Sequence, residues 1–382
     1  DEFALVAVER RQQHREFVPR LAIQVESEVV VEVAVGGSNV RVQIVEAHAG
    51  VEGGPPNTAF GSETTTSIRS RSYGSTMTDS EREDAALPDD ADAVRTALIE
   101  WYEADHRDYP WRRTEDPYEI LVSEVMSQQT QLDRVVEAWD AFLDRWPTVD
   151  ALADADRSEV VGFWSDQRLG YNNRARYLHE AAGQVVDDYG GDFPETPDGL
   201  QELMGVGPYT ANAVASFAFN AGDAVVDTNV KRVLYRAFGV PDDDAAFARV
   251  SSELMPDGES RVWNNAIMEL GGVACQQRPR CDEAGCPWRE WCHAYQTGDF
   301  TAPDVPTQPS FEGSRRQMRG RVVAALKEYD ELALDDLGPR VRVDYGGEHG
   351  REWLRGLLAD LEDDGLVDVL GDGEETTVRL QR

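Results

Sequence analysis

The chain has 382 residues, which is enough for two or three domains and a sizeable hydrophobic core. Its 37 basic and 72 acidic residues give a formal net charge of −35, which excludes a protein that binds nucleic acid through a generally basic surface. The longest apolar stretch, AVASFAF near residue 215, is far shorter than the roughly 18 residues of a membrane span. We therefore expect no contact with a membrane and, because no secretory signal opens the chain, a cytoplasmic protein.

The basic residues are almost all arginine, since only Lys231 and Lys327 are lysines. An acidic, lysine-poor composition is typical of proteins from salt-loving organisms such as haloarchaea, where salt shortens the Debye length to about 3 Å at 1 M. An acidic surface that repels DNA is the alternative. We favour the halophilic interpretation because the acidic residues are spread along the chain.

Residues 1–76 differ from the rest of the chain, whose first methionine is Met77. Valine alternates with polar residues on both sides of GGSN, which predicts a β-hairpin. The residues that follow are rich in Gly, Ser and Thr and are typical of a linker. We interpret this extension as translated sequence upstream of a start at Met77. A small appended β-module is the alternative, and we assign it no function.

Apolar residues recur at helical spacing almost throughout residues 89–295, which predicts that residues 77–300 form a helical domain. Two of its helices, PDGLQELM and YTANAVASFAF, are joined by the turn GVGP and predict a tight helical hairpin. Residues 301–314 are proline-rich and predict a linker. Residues 315–382 contain three predicted helices and a β-hairpin that turns at GDGEE, which indicates a winged-helix-like α+β module.

Two carboxylates have surroundings that suit different roles in cleaving a glycosidic bond. Glu124 lies among apolar residues of a predicted helix, where burial raises a carboxyl pKa into the range of a general acid. Asp227 directly precedes a helical run, and a helix N-terminus favours an ionised side chain. Glycosidic cleavage uses one protonated and one ionised carboxylate. A surface glutamate and a simple N-cap are the structural alternatives.

Several uncharged residues suit contacts with DNA. Gln128, Gln129 and Thr130 can hydrogen-bond in a groove without ion pairing. Gly205 and Gly207 in the helical hairpin allow close backbone approach, and the helix that follows offers N–H groups to a phosphate. An ordinary packing corner between two helices is the alternative for this hairpin.

Two acid-free segments carry arginines. Residues 167–179 contain three arginines together with Tyr171, an aromatic side chain that can wedge between bases. Residues 315–321 contain four more arginines. In so acidic a chain both segments predict phosphate contacts, with solvated helix faces as the alternative.

All four cysteines lie close together in the sequence, with C-x5-C-x4-C-x5-C spacing: Cys275, Cys281, Cys286 and Cys292. Four thiolates can hold a [4Fe–4S] cluster or a tetrahedral zinc ion. No C-x2-C pair is present, which weakens the interpretation as a zinc knuckle. The spacing alone leaves both metals open.

These motifs together resemble the adenine DNA glycosylases of the MutY kind, within the helix-hairpin-helix superfamily. The resemblance covers about residues 90–295, in which the family's motifs occur in order: RDYPWR, DPYEILVSEVMSQQTQ, LGYNNRARYLH, GVGPYTANAV, VVDTNVKRVL and the cysteines. It implies a mainly α, two-lobed glycosylase domain with DNA in the cleft between the lobes. It also implies a monomer that acts on the double-stranded DNA of the nucleoid and extrudes a mispaired adenine into a pocket.

The resemblance also implies roles for residues of the catalytic centre. Glu124 would protonate adenine and help activate water, Asp227 would stabilise the sugar cation, and Asn229 would order water beside them. Tyr209 occupies the position of the Schiff-base lysine in related endonuclease III-type enzymes. Because a phenol forms no imine, this substitution implies a monofunctional glycosylase.

Further residues are assigned to DNA and cofactor binding by the same resemblance. Trp111 and Arg112 would line the adenine pocket, and Arg107 would bind substrate or DNA. Gln129 and Tyr171 would fill the opened base stack. The cysteines of residues 275–292 would hold a [4Fe–4S] cluster that shapes a DNA-contacting loop, with zinc as the alternative.

Departures from the family pattern leave other functions open. The cysteine spacing differs from the usual six, two and five residues, Thr228 replaces a glycine, and no Nudix-like domain is evident. The resemblance nevertheless implies adenine opposite guanine or 8-oxoguanine as the substrate. A thymine- or uracil-mismatch or oxidised-pyrimidine glycosylase of the same superfamily is one alternative. A non-enzymatic winged-helix DNA-binding regulator with a zinc site is another.

Overall fold

The structure, a computed structural model, describes residues 29–36, 39–46, 87–88, 90–304, 310–371 and 373–382. The chain divides into two units, Asp1–Ser70 and Arg71–Arg382. In the first unit, β1 (Val29–Gly36) pairs in antiparallel register with β2 (Asn39–Glu46), so that Val29 lies opposite Glu46. The linker predicted after this hairpin lies outside the described residues.

The second unit is mainly α-helical, as predicted. In residues 90–304 of the described chain the α-helices are α1 (Ala91–Ala104), α2 (Pro117–Ser127), α3 (Leu132–Arg145), α4 (Val149–Ala153), α5 (Arg157–Asp166), α6 (Asn173–Tyr189), α7 (Pro197–Gln201), α8 (Pro208–Phe219), α9 (Thr228–Phe238), α10 (Asp244–Leu254), α11 (Ser260–Val273) and α12 (His293–Thr297). Many begin at an N-cap side chain that accepts a backbone N–H: Asp90, Asp116, Thr148, Asp156, Thr196, Asp227 and Asp243. None of the helices within the described ranges is long and apolar enough to cross a membrane.

Two hydrophobic cores give the helical part its two lobes. One core is built from α2 to α8 and includes Trp164, Phe142 and Met126, all fully buried. The other is built from α1 and α9 to α12 and includes Trp263, Trp288 and three of the cysteines. Burying these large side chains supplies most of the driving force for each lobe. The predicted two-lobed helical architecture is therefore confirmed.

Residues 310–382, which we call the C-terminal module, combine three helices with a small sheet. The helices are α13 (Arg315–Tyr329), α14 (Leu334–Val341) and α15 (Gly347–Asp363), and the strands are β3 (Glu331–Ala333), β4 (Val367–Leu370) and β5 (Thr377–Leu380). The sheet is antiparallel in the order β3-β5-β4. The predicted α+β character is confirmed, and β3 is an additional strand that the sequence did not predict.

The C-terminal module packs against the lobe that contains α5. Val322, Leu326 and other apolar residues of α13 belong to the same core as α2 to α8. Lys327 forms an ion pair with Asp166, and Arg157 donates to Gln381 at 2.8 Å. The module therefore completes this lobe rather than standing apart from it.

Candidate active site

A cavity of about 530 Å³ lies between α2, α8, α9 and α11. That volume is in the usual range for small-molecule sites. Ten of the predicted site residues line it: Arg107, Trp111, Arg112, Glu124, Gln128, Gln129, Thr130, Tyr209, Asp227 and Asn229. The side chains of Glu124 and Asp227, the two predicted carboxylates, thus line the same cavity.

Glu124 lies in the middle of α2, with only 8% of its surface exposed. Burial, reinforced by the negative charge of Asp227, raises the pKa of Glu124 to about 7. A hydrogen bond with the Tyr209 hydroxyl acts in the opposite direction, because it favours the carboxylate form. The side chain can therefore hold a proton near neutral pH, as a general acid must.

Asp227 is the N-cap of α9 and is held as an acceptor by two N–H groups. Its Oδ1 accepts from the backbone N–H of Val230 at 2.7 Å, and its Oδ2 accepts from the Asn229 amide at 2.7 Å. The Asn229 Oδ1 in turn accepts from Arg232 at 2.8 Å. Cap and amide fix the carboxylate at the cavity wall, where it can face a developing positive charge.

Tyr209 lies in the first turn of α8, directly after the turn that joins the two helices of the helical hairpin. Burial and the charges of Glu124 and Asp227 raise the pKa of this phenol well above its usual range. The hydroxyl therefore stays protonated and donates to the Glu124 carboxyl. The hairpin geometry places it there: α7 and α8 are joined by Glu202–Gly207, in which Gly205 has φ of +75° and a Cβ would meet Tyr177 at 2.5 Å.

Arg107 and Arg112 are held by Glu269, a residue that the sequence analysis missed. Glu269 lies on α11 and is 1% exposed. Its Oε1 accepts from Arg107 Nε at 2.8 Å, and its Oε2 accepts from Arg112 at 2.9 Å. Burial alone would raise the pKa of Glu269, but these arginines outweigh it and hold that pKa below its usual range. Gly272 makes room for this pair, because a Cβ there would collide with the Arg107 guanidinium.

Aromatic rings form one wall of the cavity. Tyr109 and Trp111 stack with their centroids 5.0 Å apart and their planes 7° from parallel. Trp111 also meets the edge of Trp139 at 6.3 Å. Such a wall offers a planar base a stacking surface.

Three predicted DNA-contacting residues lie apart from the cavity lining. Tyr171 is 38% exposed, has φ of +46°, and accepts a hydrogen bond from Arg316 of the C-terminal module at 2.6 Å. Gly205 and Gly207 lie in the turn of the helical hairpin. All three lie in segments between helices of the first lobe, outside the set of residues that line the cavity.

Most arginines of the two acid-free segments bind protein groups instead of lying open for phosphate. Arg174 is buried and donates to backbone carbonyls, and Arg176 pairs with Glu180. In α13, Arg315 and Arg319 form ion pairs with two aspartates at and just beyond the end of α15, Asp360 and Asp364. Only the pair of Arg176 with Glu180, four residues apart on one helix, could have been found from the sequence; the other partners come from other elements or from backbone.

The four cysteines lie together in the second lobe as free thiols, three of them buried. Each thiol influences the pKa of at least one other, and burial raises the pKa of Cys275 and Cys292. Arg236 donates to the Cys275 Sγ at 3.6 Å, and Arg232 donates to its carbonyl at 2.7 Å. Among the described residues, no three potential ligands converge on a single metal-ion position. In number and donor type, four thiols in one lobe beside two cationic groups match the ligand set of an iron–sulfur cluster.

A buried carboxyl with a raised pKa and a capped aspartate line one cleft between two helical lobes, an arrangement that suits cleavage of a glycosidic bond. Residues 122–256 match the HhH-GPD superfamily of base excision DNA repair proteins. The chain is 40% identical over 295 residues to the adenine DNA glycosylase of Mycolicibacterium smegmatis, which covers 72% of this chain and 93% of that protein. It is 41% identical over 221 residues to the human adenine DNA glycosylase, covering 53% of this chain and 40% of that protein.

A solved structure of a thermostable thymine-DNA glycosylase is also similar. It superimposes with a TM-score of 0.50 at 30% identity, covering 54% of this chain and 96% of that one. The chain described here belongs to the adenine DNA glycosylase family.

Proposed function

We propose that this DNA N-glycosylase excises adenine mispaired with guanine or 8-oxoguanine, the first step of base excision repair. The observation that carries the proposal is that the buried Glu124, whose pKa is raised to about 7, and the capped Asp227 line one cavity. The family supports adenine as the base that is removed. The stacked Tyr109 and Trp111 and the Glu269-bound arginines supply a planar, polar-rimmed site for an extruded purine.

In the proposed reaction, Glu124 gives its proton to the adenine while the bond between the base and C1′ breaks, and the bonding electrons leave with the base. Asp227 faces the resulting oxocarbenium ion and stabilises it electrostatically. Water then adds to C1′ and loses a proton to the Glu124 carboxylate, which restores the acid. Asn229, already bound to Asp227, is placed to order this water. The products are free adenine and an abasic site.

The proposed enzyme is monofunctional. Tyr209 occupies the lysine position of the lyases and cannot form an imine. Lys231 also lines the cavity, but it forms an ion pair with Asp244. Alkali should therefore be required to break the strand after base release. Borohydride trapping of an enzyme–DNA adduct would overturn this proposal, and a Lys231→Arg variant would identify the amine.

The cysteines are proposed to hold a [4Fe–4S] cluster that fixes the loop of residues 275–292 against α9. Such a cluster would hold this loop in a fixed shape rather than act on the base. The DNA partner is proposed to be a duplex bound by one copy of the chain in the nucleoid. Residues 77–300 are proposed as the glycosylase domain, 301–314 as a linker and 315–382 as a winged-helix-like domain, with 1–76 outside the catalytic unit.

The deciding experiment is a panel of duplexes assayed at high salt, because so acidic a chain needs screening of its charges. It should contain A·G, A·8-oxoguanine, T·G and fully paired DNA, each with and without alkali. Release of adenine from the first two supports the proposal. Release of thymine from T·G alone would favour the second candidate function, to which the thymine-DNA glycosylase fold match points.

A further inference from the structure

Two loops beside the cavity carry the residues proposed to open the duplex. The first, Gln128–Gln131, joins α2 to α3, and the second, Gln167–Asn172, joins α5 to α6. Gln129 has φ of +56° and Tyr171 has φ of +46°. Residues other than glycine rarely adopt this left-handed backbone conformation, which persists only where the surrounding structure stabilises it.

One buried guanidinium holds both loops. Arg174, in the first turn of α6, is 8% exposed. It donates to five backbone carbonyls, three at the end of α2 and its loop and two in the second loop: Val125 at 2.7 Å, Met126 at 3.4 Å, Gln128 at 2.6 Å, Leu169 at 2.7 Å and Gly170 at 3.3 Å. The planar fork suits this task, because Nη1 serves one loop while Nη2 serves the other.

The positive charge of the buried Arg174 guanidinium is compensated by these backbone carbonyls. Among the described residues no carboxylate forms an ion pair with it, and burial lowers its pKa to about 10. Its Cζ lies 5.6 Å from the Tyr171 ring centre and 5.3 Å from that of Trp164. A buried cation must be compensated by the groups around it, so the carbonyls of the two loops and the guanidinium fix one another.

We infer that Arg174 is a positioning residue that couples opening of the base stack to the catalytic helix. Its Nη1 binds the carbonyls of Val125 and Met126, the two residues that follow Glu124, while its Nη2 binds the turn that presents Tyr171. One side chain thus sets the distance between the proposed wedge and the proton donor. The inference rests on the proposed function.

Three variants test it. Arg174→Met removes all five hydrogen bonds, and Arg174→Lys keeps the charge but replaces the planar fork by a single ammonium group. Arg176→Met is the matched control, since Arg176 lies on the same helix and forms an ordinary ion pair with Glu180 at 3.0 Å. If Arg174→Met fails to fold, Arg174→Lys carries the comparison.

The first measurement follows opening of the base stack in the absence of adenine release. Each variant is combined with Glu124→Gln and bound at saturation to a duplex with 2-aminopurine beside the target adenine. Stack opening raises its fluorescence. In both Arg174 variants we expect the fluorescence increase to be at least about threefold smaller than with Glu124→Gln alone, because a small misplacement of the inserting group has a large effect on stack opening. In Arg176→Met we expect the increase to be unchanged. An unchanged rise in Arg174→Lys would overturn the inference.

The second measurement is the single-turnover rate of adenine release from two duplexes. In one the adenine is paired with guanine; in the other it faces an abasic-site analogue, so no base pair has to be broken. A positioning role predicts a loss of about tenfold or more on A·G and a much smaller loss on the unpaired adenine. Equal losses on both substrates would show a merely structural role and overturn the inference. If the parent protein releases adenine from neither substrate, the proposed function fails, while the fluorescence measurement still decides the role of Arg174.

Discussion

The Tyr209 hydroxyl donates a hydrogen bond to the Glu124 carboxyl and thereby joins the start of α8 to the middle of α2. Two opposing influences meet at this carboxyl. Burial and Asp227 favour its protonated form, whereas the Tyr209 hydrogen bond favours the carboxylate. The pKa of about 7 is their balance, and the contact between these two helices lowers the pKa from the value that burial and Asp227 alone would give.

Tyr209→Phe should therefore shift the pH dependence of adenine release. Removing the hydrogen bond that favours the carboxylate raises the pKa of Glu124, so the decline of activity with rising pH should move to higher pH by about half to one unit. Single-turnover rates measured from pH 5 to about pH 9 check this. Tyr189→Phe, at an exposed position on α6, is the control. A shift to lower pH would contradict the assignment.

Glu124→Gln should abolish adenine release while making the protein more stable. General acid catalysis typically contributes a factor of about 10² to 10⁴ in rate, which the amide cannot supply. The folded-state pKa of about 7 lies above the unfolded value of 4.5, so the folded protein binds more protons between these values and loses stability as pH rises through them. The variant escapes this loss and should gain on the order of 2 kcal/mol at pH 8.

Denaturant unfolding at pH 5 and at pH 8 measures this gain. The advantage of Glu124→Gln over the parent should widen with pH. Glu137→Gln removes an exposed carboxylate of α3 and should change stability little at either pH. An equal effect of both substitutions, or full activity of Glu124→Gln, would refute the role given to Glu124.

Much of this site could be predicted from the sequence because its signals are local. Glu124 lies within an apolar helical segment and Asp227 directly precedes a helix. Both patterns can be recognised from about ten neighbouring residues, and they predict burial of the first side chain and an N-cap position for the second. Glu269 gave no such signal, since it lies on an ordinary amphipathic helix and its partner Arg107 is 162 positions away in the chain. Buried ion pairs of this kind require the tertiary structure.

The arginine-rich segments were misjudged for the same reason. Arg174 was expected at phosphate, but it is buried against backbone carbonyls, which no side-chain pattern reveals. Arg315 and Arg319 meet carboxylates about 45 residues further along the chain. The strand β3 was missed because three residues are too few to show an alternating pattern.

Glu269→Gln should disturb the cavity and lower stability. The amide leaves two neighbouring guanidiniums, Arg107 and Arg112, without their shared anion, and breaking a buried pair costs about 3 kcal/mol. We expect a comparable loss in unfolding free energy and slower adenine release. Glu253→Gln removes an exposed i,i+4 partner of Arg249 and should cost less than about 0.5 kcal/mol. Equal stability losses in the two variants would contradict the importance of the Glu269 pair.

The proposed cluster at the four cysteines predicts the iron and sulfide content of the purified protein. Purified protein should contain iron and acid-labile sulfide in a ratio near that of a [4Fe–4S] cluster, with broad visible absorbance. Cys286→Ser should lose this iron and melt at a lower temperature, because the cysteines lie within the second core. One zinc ion per chain and no sulfide would overturn the cluster. Ser251→Ala, at a buried position in the same lobe, is the control for melting.

Arg316→Ala tests whether the C-terminal module takes part in binding DNA. Arg316 donates to the Tyr171 hydroxyl at 2.6 Å, and its Cζ lies 5.3 Å from the centres of the Tyr171 and Phe311 rings. Losing one hydrogen bond and a cation–π contact should leave Tyr171 less well ordered and weaken binding of an A·G duplex about fivefold. Affinities are compared in the Glu124→Gln background at fixed salt. Arg315→Ala is the control, because Arg315 contacts Asp360 within the module. Equal weakening by both substitutions would indicate that general charge, rather than the Tyr171 contact, sets the affinity.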